Sequence, residues 1–345
     1  MAGKDTTPAC PLHMRIASQL LLPASAIYGL EIARRNRRFD AGVHVHVLDV
    51  PVISIGNITM GGTGKTPMCG MVIRMLRELG HTPALAMRGY RAKETGGSDE
   101  AAEYADAFPD LPMAVGADRV SAIRELARSR QFNCVVLDDG FQHRRIARDL
   151  DVVLIDATRS GLHGRLIPAG RLREPTTALS RADAVLVTRS PHIDEALGKQ
   201  IEILSGKPPT AWFDHVWESF DVHVAGKPES RGSEFLKGLR LGVSLGVGNP
   251  SSILAKIAEA GGQVVWDAGA RDHHRYTKRT VEQLRHRFEQ SDVKAVMVTP
   301  KDWVSIRRHQ EYLGSVPIVV PRLQVKAVSG IEDFSGMIAS VFKGE

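Results

Sequence analysis

The chain has 345 residues, 43% of them hydrophobic and 24% charged, close to the averages of folded domains, which excludes a disordered, collagen-like or multi-span membrane protein. Forty-five Lys plus Arg against 39 Asp plus Glu leave a net charge of +6, a mild attraction for phosphates, anionic lipid or nucleic acid that does not choose among them. Cys10, Cys69 and Cys134 lie far apart with no CxxC spacing, so neither a disulfide framework nor a structural zinc site is suggested, and a reducing cytosol is the natural setting.

Ile16 to Leu30 is the one long apolar stretch, but it falls short of the roughly 20 residues of a spanning helix and contains Pro23. Arg34, Arg35, Arg37 and Arg38 follow at once. That order fits a helix lying in one leaflet with its basic end at anionic headgroups, or equally a docking helix with a solvated end. It does not fit a signal peptide, whose positive charges precede the apolar run.

From Val50 apolar runs alternate with amphipathic stretches. Strands are expected at PVISIGN, Pro83 to Met87, Cys134 to Leu137, Val152 to Ile155 and Ala184 to Val187, with helices at Lys65 to Leu79, Arg119 to Arg130 and Asp194 to Leu204. Pro208 to Arg231 breaks this rhythm with an aromatic, β-rich segment and a polar turn. A second series follows, with strands at Leu241 to Leu245, Gln263 to Trp266, Ala295 to Val298 and Ile318 to Val320 and helices at Ser251 to Ala260 and Thr280 to Gln290. The expected fold is α/β: a mostly parallel sheet flanked by helices, of P-loop NTPase type, with a second, smaller α/β lobe. Its parts are a membrane-associating segment 1–40, a nucleotide-binding domain 41–210, an inter-lobe β linker 211–235 and the second lobe 236–345.

The strongest local signal is a buried strand, then Thr59, Met60, Gly61, Gly62, Thr63, Gly64, Lys65 and Thr66, then a helix. In such a loop backbone N–H groups turn inward onto phosphates, Lys65 brings charge to the outer phosphates, and the Thr66 hydroxyl can ligate Mg2+. Thr59 replaces the usual first glycine, and Gly61 and Gly62 are expected to supply the positive-φ turns. Asp138 and Asp139, after the strand from Cys134, are the carboxylates such a loop needs for its metal, Asp138 being the better candidate; a capped turn with a solvated Asp139 is the alternative.

With these motifs in view the sequence resembles the tetraacyldisaccharide 4'-kinase family. The resemblance runs from Gly56 to Pro67 through MRGYR (Met87 to Arg91), SDEA (Ser98 to Ala101), VGADR (Val115 to Arg119), LDDGFQHRR (Leu137 to Arg145) and LIPAGRLREP (Leu166 to Pro175), then GVGNP (Gly246 to Pro250), DHHRYT (Asp272 to Thr277) and VTPKD (Val298 to Asp302), nearly the whole chain. Two departures fall in the last motif: Pro300 replaces the usual Glu or Gln, and Ser305 stands where lysine is common. They bear on whatever that motif contributes, which the resemblance places near the nucleotide base or between the lobes.

The resemblance implies an ATP- and Mg2+-dependent transfer of the γ-phosphoryl group to the 4'-hydroxyl of a tetraacyl glucosamine disaccharide 1-phosphate in lipid A synthesis, by a monomer at the cytoplasmic face of the inner membrane with no nucleic-acid partner. It makes Asp99 the catalytic base and Glu100 its metal-associated neighbour; alone, those residues read as an acidic surface loop. His273 matches the histidine that pairs with the aspartate, arriving from the second lobe, with His274 set aside by motif position alone. Arg173 would neutralise the transferring phosphoryl group, Glu174 would fix that arginine or meet the nucleotide, and Gln142 and His143 would position nucleotide or acceptor. If the pair forms only on lobe closure, water is kept from the γ-phosphate in the open form.

The main alternative is a membrane-associated switch ATPase with a deviant Walker loop, which carries lysine where this chain has Met60. A GTPase is disfavoured because Thr299, Pro300, Lys301 and Asp302 do not make the guanine-selecting Asn-Lys-x-Asp, and a nucleic-acid module lacks an aromatic-interleaved basic platform.

Overall fold

The computed structural model describes residues 18–89, 99–224, 227–247, 250–269 and 276–343, without the side chains of residues 99, 100 and 227. Val52–Asn57 (β1) is buried at every position, Ser54 and Asn57 included, as a strand is when helices cover both faces of a parallel sheet. Outward from β1 on one side, all parallel, lie Cys134–Asp138 (β4), Pro83–Met87 (β2) and Met113–Val115 (β3); on the other lie Leu150–Asp156 (β5) and Ala184–Thr188 (β6). Register sets Ile55 of β1 beside Asp138 of β4, so the loop after β1 and the acidic pair after β4 open at the same end of the sheet.

Ala211–Val224 (β7) starts parallel to β6 and then runs antiparallel to Ile318–Ser329 (β12), with Lys227–Gly232 (β8) pairing its far end. Beyond β12 come Ala295–Val298 (β11), Arg240–Ser244 (β9) and Gln263–Asp267 (β10), parallel again. Among the described residues the result is one twelve-stranded sheet, ordered β10-β9-β11-β12-β7-β6-β5-β1-β4-β2-β3 with β8 to the side. The break in rhythm near residue 211 is therefore a long strand shared by both lobes. β12, expected over three residues, runs for 12 and carries the chain back to the first lobe.

Among the described residues the α-helices are Leu22–Asp40 (α1), Lys65–Glu78 (α2), Asp99–Ala107 (α3), Arg119–Ala127 (α4), Glu195–Ser205 (α5), Pro250–Glu259 (α6), Lys278–Glu289 (α7), Pro300–Ile306 (α8) and Ile331–Ser340 (α9). α2 buries Met68, Cys69, Val72, Ile73 and Leu76 against Ile53, Ile55 and Val136, each such side chain stabilising the fold by about 1.5–3 kcal/mol. Phe334 and Ile338 of α9 join this same core, so the end of the 236–345 stretch packs in the first lobe. The second lobe has its own core around Leu241, Val243, Val296, Val298 and Trp303. α8 opens with a reciprocal cap between Thr299 and Asp302 and has Pro300 at its first turn, where a missing N–H costs nothing. It packs against α3, and Arg307 just after it bonds Asp106 of α3 at 2.6 Å, so the motif with the two departures lies at the contact between lobes.

Candidate active site

The end of β1 is braced before the loop begins. Asn57 Nδ2 donates to the Thr59 carbonyl at 2.9 Å, and the Asn57 carbonyl accepts from Gln142 Nε2 at 2.9 Å. The segment 171–173 is laid along the loop: Thr59 bridges antiparallel to Leu172, Met60 N–H donates to the Arg171 carbonyl at 2.7 Å, and Arg173 N–H donates to the Ile58 carbonyl at 2.8 Å. Thr59 thus sits in paired, extended backbone that needs no glycine. The positive-φ turns fall at Gly61 (φ +110°) and Gly64 (φ +83°); Gly62, expected to share that task, does not. Gly64 is also the N-cap of α2 and offers no side chain to it, leaving the first-turn N–H groups to face a ligand. A Cβ at Gly64 would run into the ring of His215, which β7 brings beneath the loop, while Thr188 Oγ1 holds the Thr63 carbonyl at 2.9 Å.

Three charged groups converge at the mouth. Arg173 Nη1 donates to both oxygens of Asp139, at 2.9 and 2.7 Å, and Lys65 Nζ lies 3.4 Å from Asp139 Oδ1 and 3.4 Å from Asn57 Oδ1. Burial pushes the Asp139 carboxyl up, but Lys65, Arg173 and Arg119 outweigh it and hold it at about 2. Asp139 adopts φ +52°, and its carbonyl accepts from Arg119 at 3.1 Å. Asp138 is buried at the end of β4 and accepts from the hydroxyl of Tyr104, on α3, at 3.1 Å. Tyr104 therefore ties the helix that begins at Asp99 and Glu100 to the acidic pair. The side chains of Asp99 and Glu100, and the whole of His273 and His274, lie outside the described residues.

Glu174 is 0% exposed and bonds Arg181 through both oxygens at 2.9 Å, Asn36 at 2.8 Å and Gln142 at 3.0 Å. Its partner is Arg181, not Arg173, and its oxygens are engaged within the protein. Gln142 likewise joins Asn57, Glu174 and, at 3.4 Å, Arg173. Burial, reinforced by Arg119, Arg148 and Arg145, pushes His143 down to about 4, so its ring is neutral at physiological pH.

Helix α1 completes the site from outside the sheet. Ser25 bonds the Leu166 carbonyl at 3.0 Å, Tyr28 the Arg173 carbonyl at 2.8 Å, Arg35 the Gln142 carbonyl at 3.2 Å, and Asn36 reaches Glu174. Its other face leaves Ile27 69% and Leu30 72% exposed, with Leu22 at its start 38% exposed. The docking reading of this segment thus holds for one face of the helix, and its opposite face is apolar and exposed. Among the described residues no helix is long and apolar enough to cross a membrane. Sequence reasoning missed Tyr28, Asn36, Tyr104 and Arg181, which carry no motif; a single polar residue within an amphipathic stretch is their only trace.

For Mg2+, the donor chemistry is that of a phosphate loop: a hydroxyl at Thr66 in the first turn of α2 and a carboxylate at Asp138 on the neighbouring strand end. Among the described residues no three His, Cys, Asp or Glu side chains gather closely enough to hold a metal alone.

The family model described as tetraacyldisaccharide-1-P 4'-kinase (LpxK) matches residues 17–341. A tetraacyldisaccharide 4'-kinase of Porphyromonas gingivalis is 34% identical over 320 residues, covering 84% of this chain and 86% of the relative. One from Syntrophus aciditrophicus is 31% identical over 315 residues, covering 83% and 84%. The crystal structure of LpxK from Aquifex aeolicus in complex with ATP superposes with a TM-score of 0.72 at 25% identity, over 94% of this chain and 99% of that one. The loop, the paired aspartates and the Arg173 segment lie within the matched residues, and the chain belongs to the tetraacyldisaccharide 4'-kinase family.

Proposed function

We propose that this chain carries out its family's reaction in the cleft at the ends of β1 and β4, transferring the γ-phosphoryl group of ATP to the 4'-hydroxyl of a tetraacyldisaccharide 1-phosphate. The observation that carries this is the convergence of Lys65 and Arg173 on Asp139 beside an uncapped helix N-terminus. Loop N–H groups cradle the phosphates, and the two cations, preorganised on Asp139, meet charge spreading over the γ-phosphoryl oxygens as its bond to ADP loosens. Arg173 is fixed by its own N–H on Ile58, its carbonyl on Tyr28 and its guanidinium on Asp139, so little reorganisation remains for the reaction.

Asp99 takes the proton of the acceptor hydroxyl and His273 orients that carboxylate, the pair completing only when the second lobe closes. Thr66 and Asp138, with Asp139 beside it in sequence and Glu100 as the resemblance implies, would hold Mg2+. When bound it neutralises charge on the outer phosphates. All these residues come from one chain, which works as a monomer. The exposed leucines and isoleucine of α1, with the arginines at its end, rest on the cytoplasmic leaflet of the inner membrane and deliver the mouth of the site to a lipid headgroup.

The test is incubation of γ-labelled ATP with the lipid disaccharide 1-phosphate and separation of products by thin-layer chromatography. Label in lipid supports the kinase. Label only in free phosphate supports a switch ATPase and refutes the assignment.

A further inference from the structure

Arg171 precedes the buried Leu172 and is itself exposed. Its guanidinium donates to the Met60 carbonyl through Nη2 at 2.8 Å and Nε at 3.3 Å. It fills the space above Gly61, where a Cβ would run into it. The loop that presents it is braced on both sides: Leu172 N–H to the Arg165 carbonyl at 2.9 Å, Ile167 N–H to the Leu172 carbonyl at 2.9 Å, and Met60 N–H to the carbonyl of Arg171 itself at 2.7 Å. A cation thus stands on the outer lip of the phosphate loop, at the residue where the deviant Walker loops of switch ATPases carry a lysine and this chain carries an apolar methionine.

We propose that Arg171 is a third phosphate-binding cation of this kinase, supplied from within the same chain, and that it contacts the terminal phosphate of ATP. Loop N–H groups enclose the inner phosphates, so an exposed guanidinium at the lip faces the outer end of the chain. A neutral carbonyl holds it meanwhile, a weaker partner than a phosphate oxygen, so the guanidinium exchanges Met60 for the ligand at small cost. Lys65 and Arg173 reach the phosphoryl group from the Asp139 side and Arg171 from the Gly61 side. This placement rests on the reading that the loop binds ATP.

The experiment measures binding of ATP and of ADP, each with Mg2+, by calorimetry, to the full-length protein and its Arg171→Met and Arg171→Lys variants, with Tm in parallel. Because the hydrogen bond lost is to a charged group, Arg171→Met should weaken ATP about tenfold and ADP less than about twofold. Arg171→Lys should fall between, KM for ATP should rise more than kcat falls, and Tm should stay at the wild-type value because the side chain is exposed. ATP affinity unchanged in Arg171→Met overturns the inference while leaving the kinase reading intact. Equal weakening of ATP and ADP with a lowered Tm also overturns it, assigning Arg171 to loop bracing alone. Failure of the wild type to bind ATP overturns the underlying reading and the inference with it.

Discussion

Glu174→Ala removes a carboxylate that is 0% exposed and bonded to Arg181, Asn36 and Gln142, leaving a mostly buried guanidinium without its counter-charge. Breaking such a pair from one side costs about 3–5 kcal/mol. With an unfolding entropy near 2.1 cal/mol/K per residue, a chain of 345 residues has about 0.7 kcal/mol/K, so Tm should fall by about 4–7 °C. Glu174→Gln keeps one acceptor for Arg181 and should lose less. Burial pushes the Glu174 carboxyl up, but Arg181, Asn36 and Gln142 outweigh it and hold it below its usual 4.5. A depressed folded value means that the ionised network stabilises the protein above about pH 4.5 and that this contribution is lost as pH falls through the folded value. Scanning calorimetry of wild type and Glu174→Gln from pH 7 downward should therefore show a difference in Tm that narrows in acid. KM for ATP should change little in either variant, because the oxygens of Glu174 face protein donors. A wild-type Tm in Glu174→Ala together with a large rise in KM would refute this reasoning and return Glu174 to the nucleotide.

Asp139→Asn should lower kcat roughly a hundredfold, since Lys65 and Arg173 lose their common anchor, and should leave the acid limb of the pH profile in place because Asp139 titrates at about 2; an unchanged kcat counts against preorganisation. Asp99→Ala and His273→Ala should each depress turnover far more than ATP affinity, and the double variant should be much less than multiplicative in steady-state assays if the two act as one unit. Removing every residue before Arg38 would take away Tyr28, Arg35 and Asn36, which bond the Arg173, Gln142 and Glu174 segments, so it damages the site as well as the exposed apolar face. Ile27→Glu with Leu30→Glu leaves that docked face alone and should move the protein from anionic vesicles to the supernatant in a sedimentation assay, with ATP binding retained; undiminished vesicle binding would dismiss the face as a membrane contact.

What could be read along the chain was whatever local spacing encodes. Branched apolar runs announced β1, β4, β5 and β6, and glycines followed by Lys65 and Thr66 announced the phosphate loop, because a strand, a turn and a helix start each need particular residues within a few positions. α3 and α8 escaped notice: they are short, and α3 owes its place to Tyr104 on Asp138 and Asp106 on Arg307. The length of β12 escaped too, since it follows from pairing with β7 more than ninety positions upstream rather than from its own mixed pattern. The same holds at the site. Residue types made Arg173 and Glu174 look like partners, but the fold sends Arg173 to Asp139 and Glu174 to Arg181 and to an asparagine 138 positions away on α1. Which side chains pair across such distances is decided by where the sheet and its helices bring backbones together, and a buried carboxylate takes the donors it finds there.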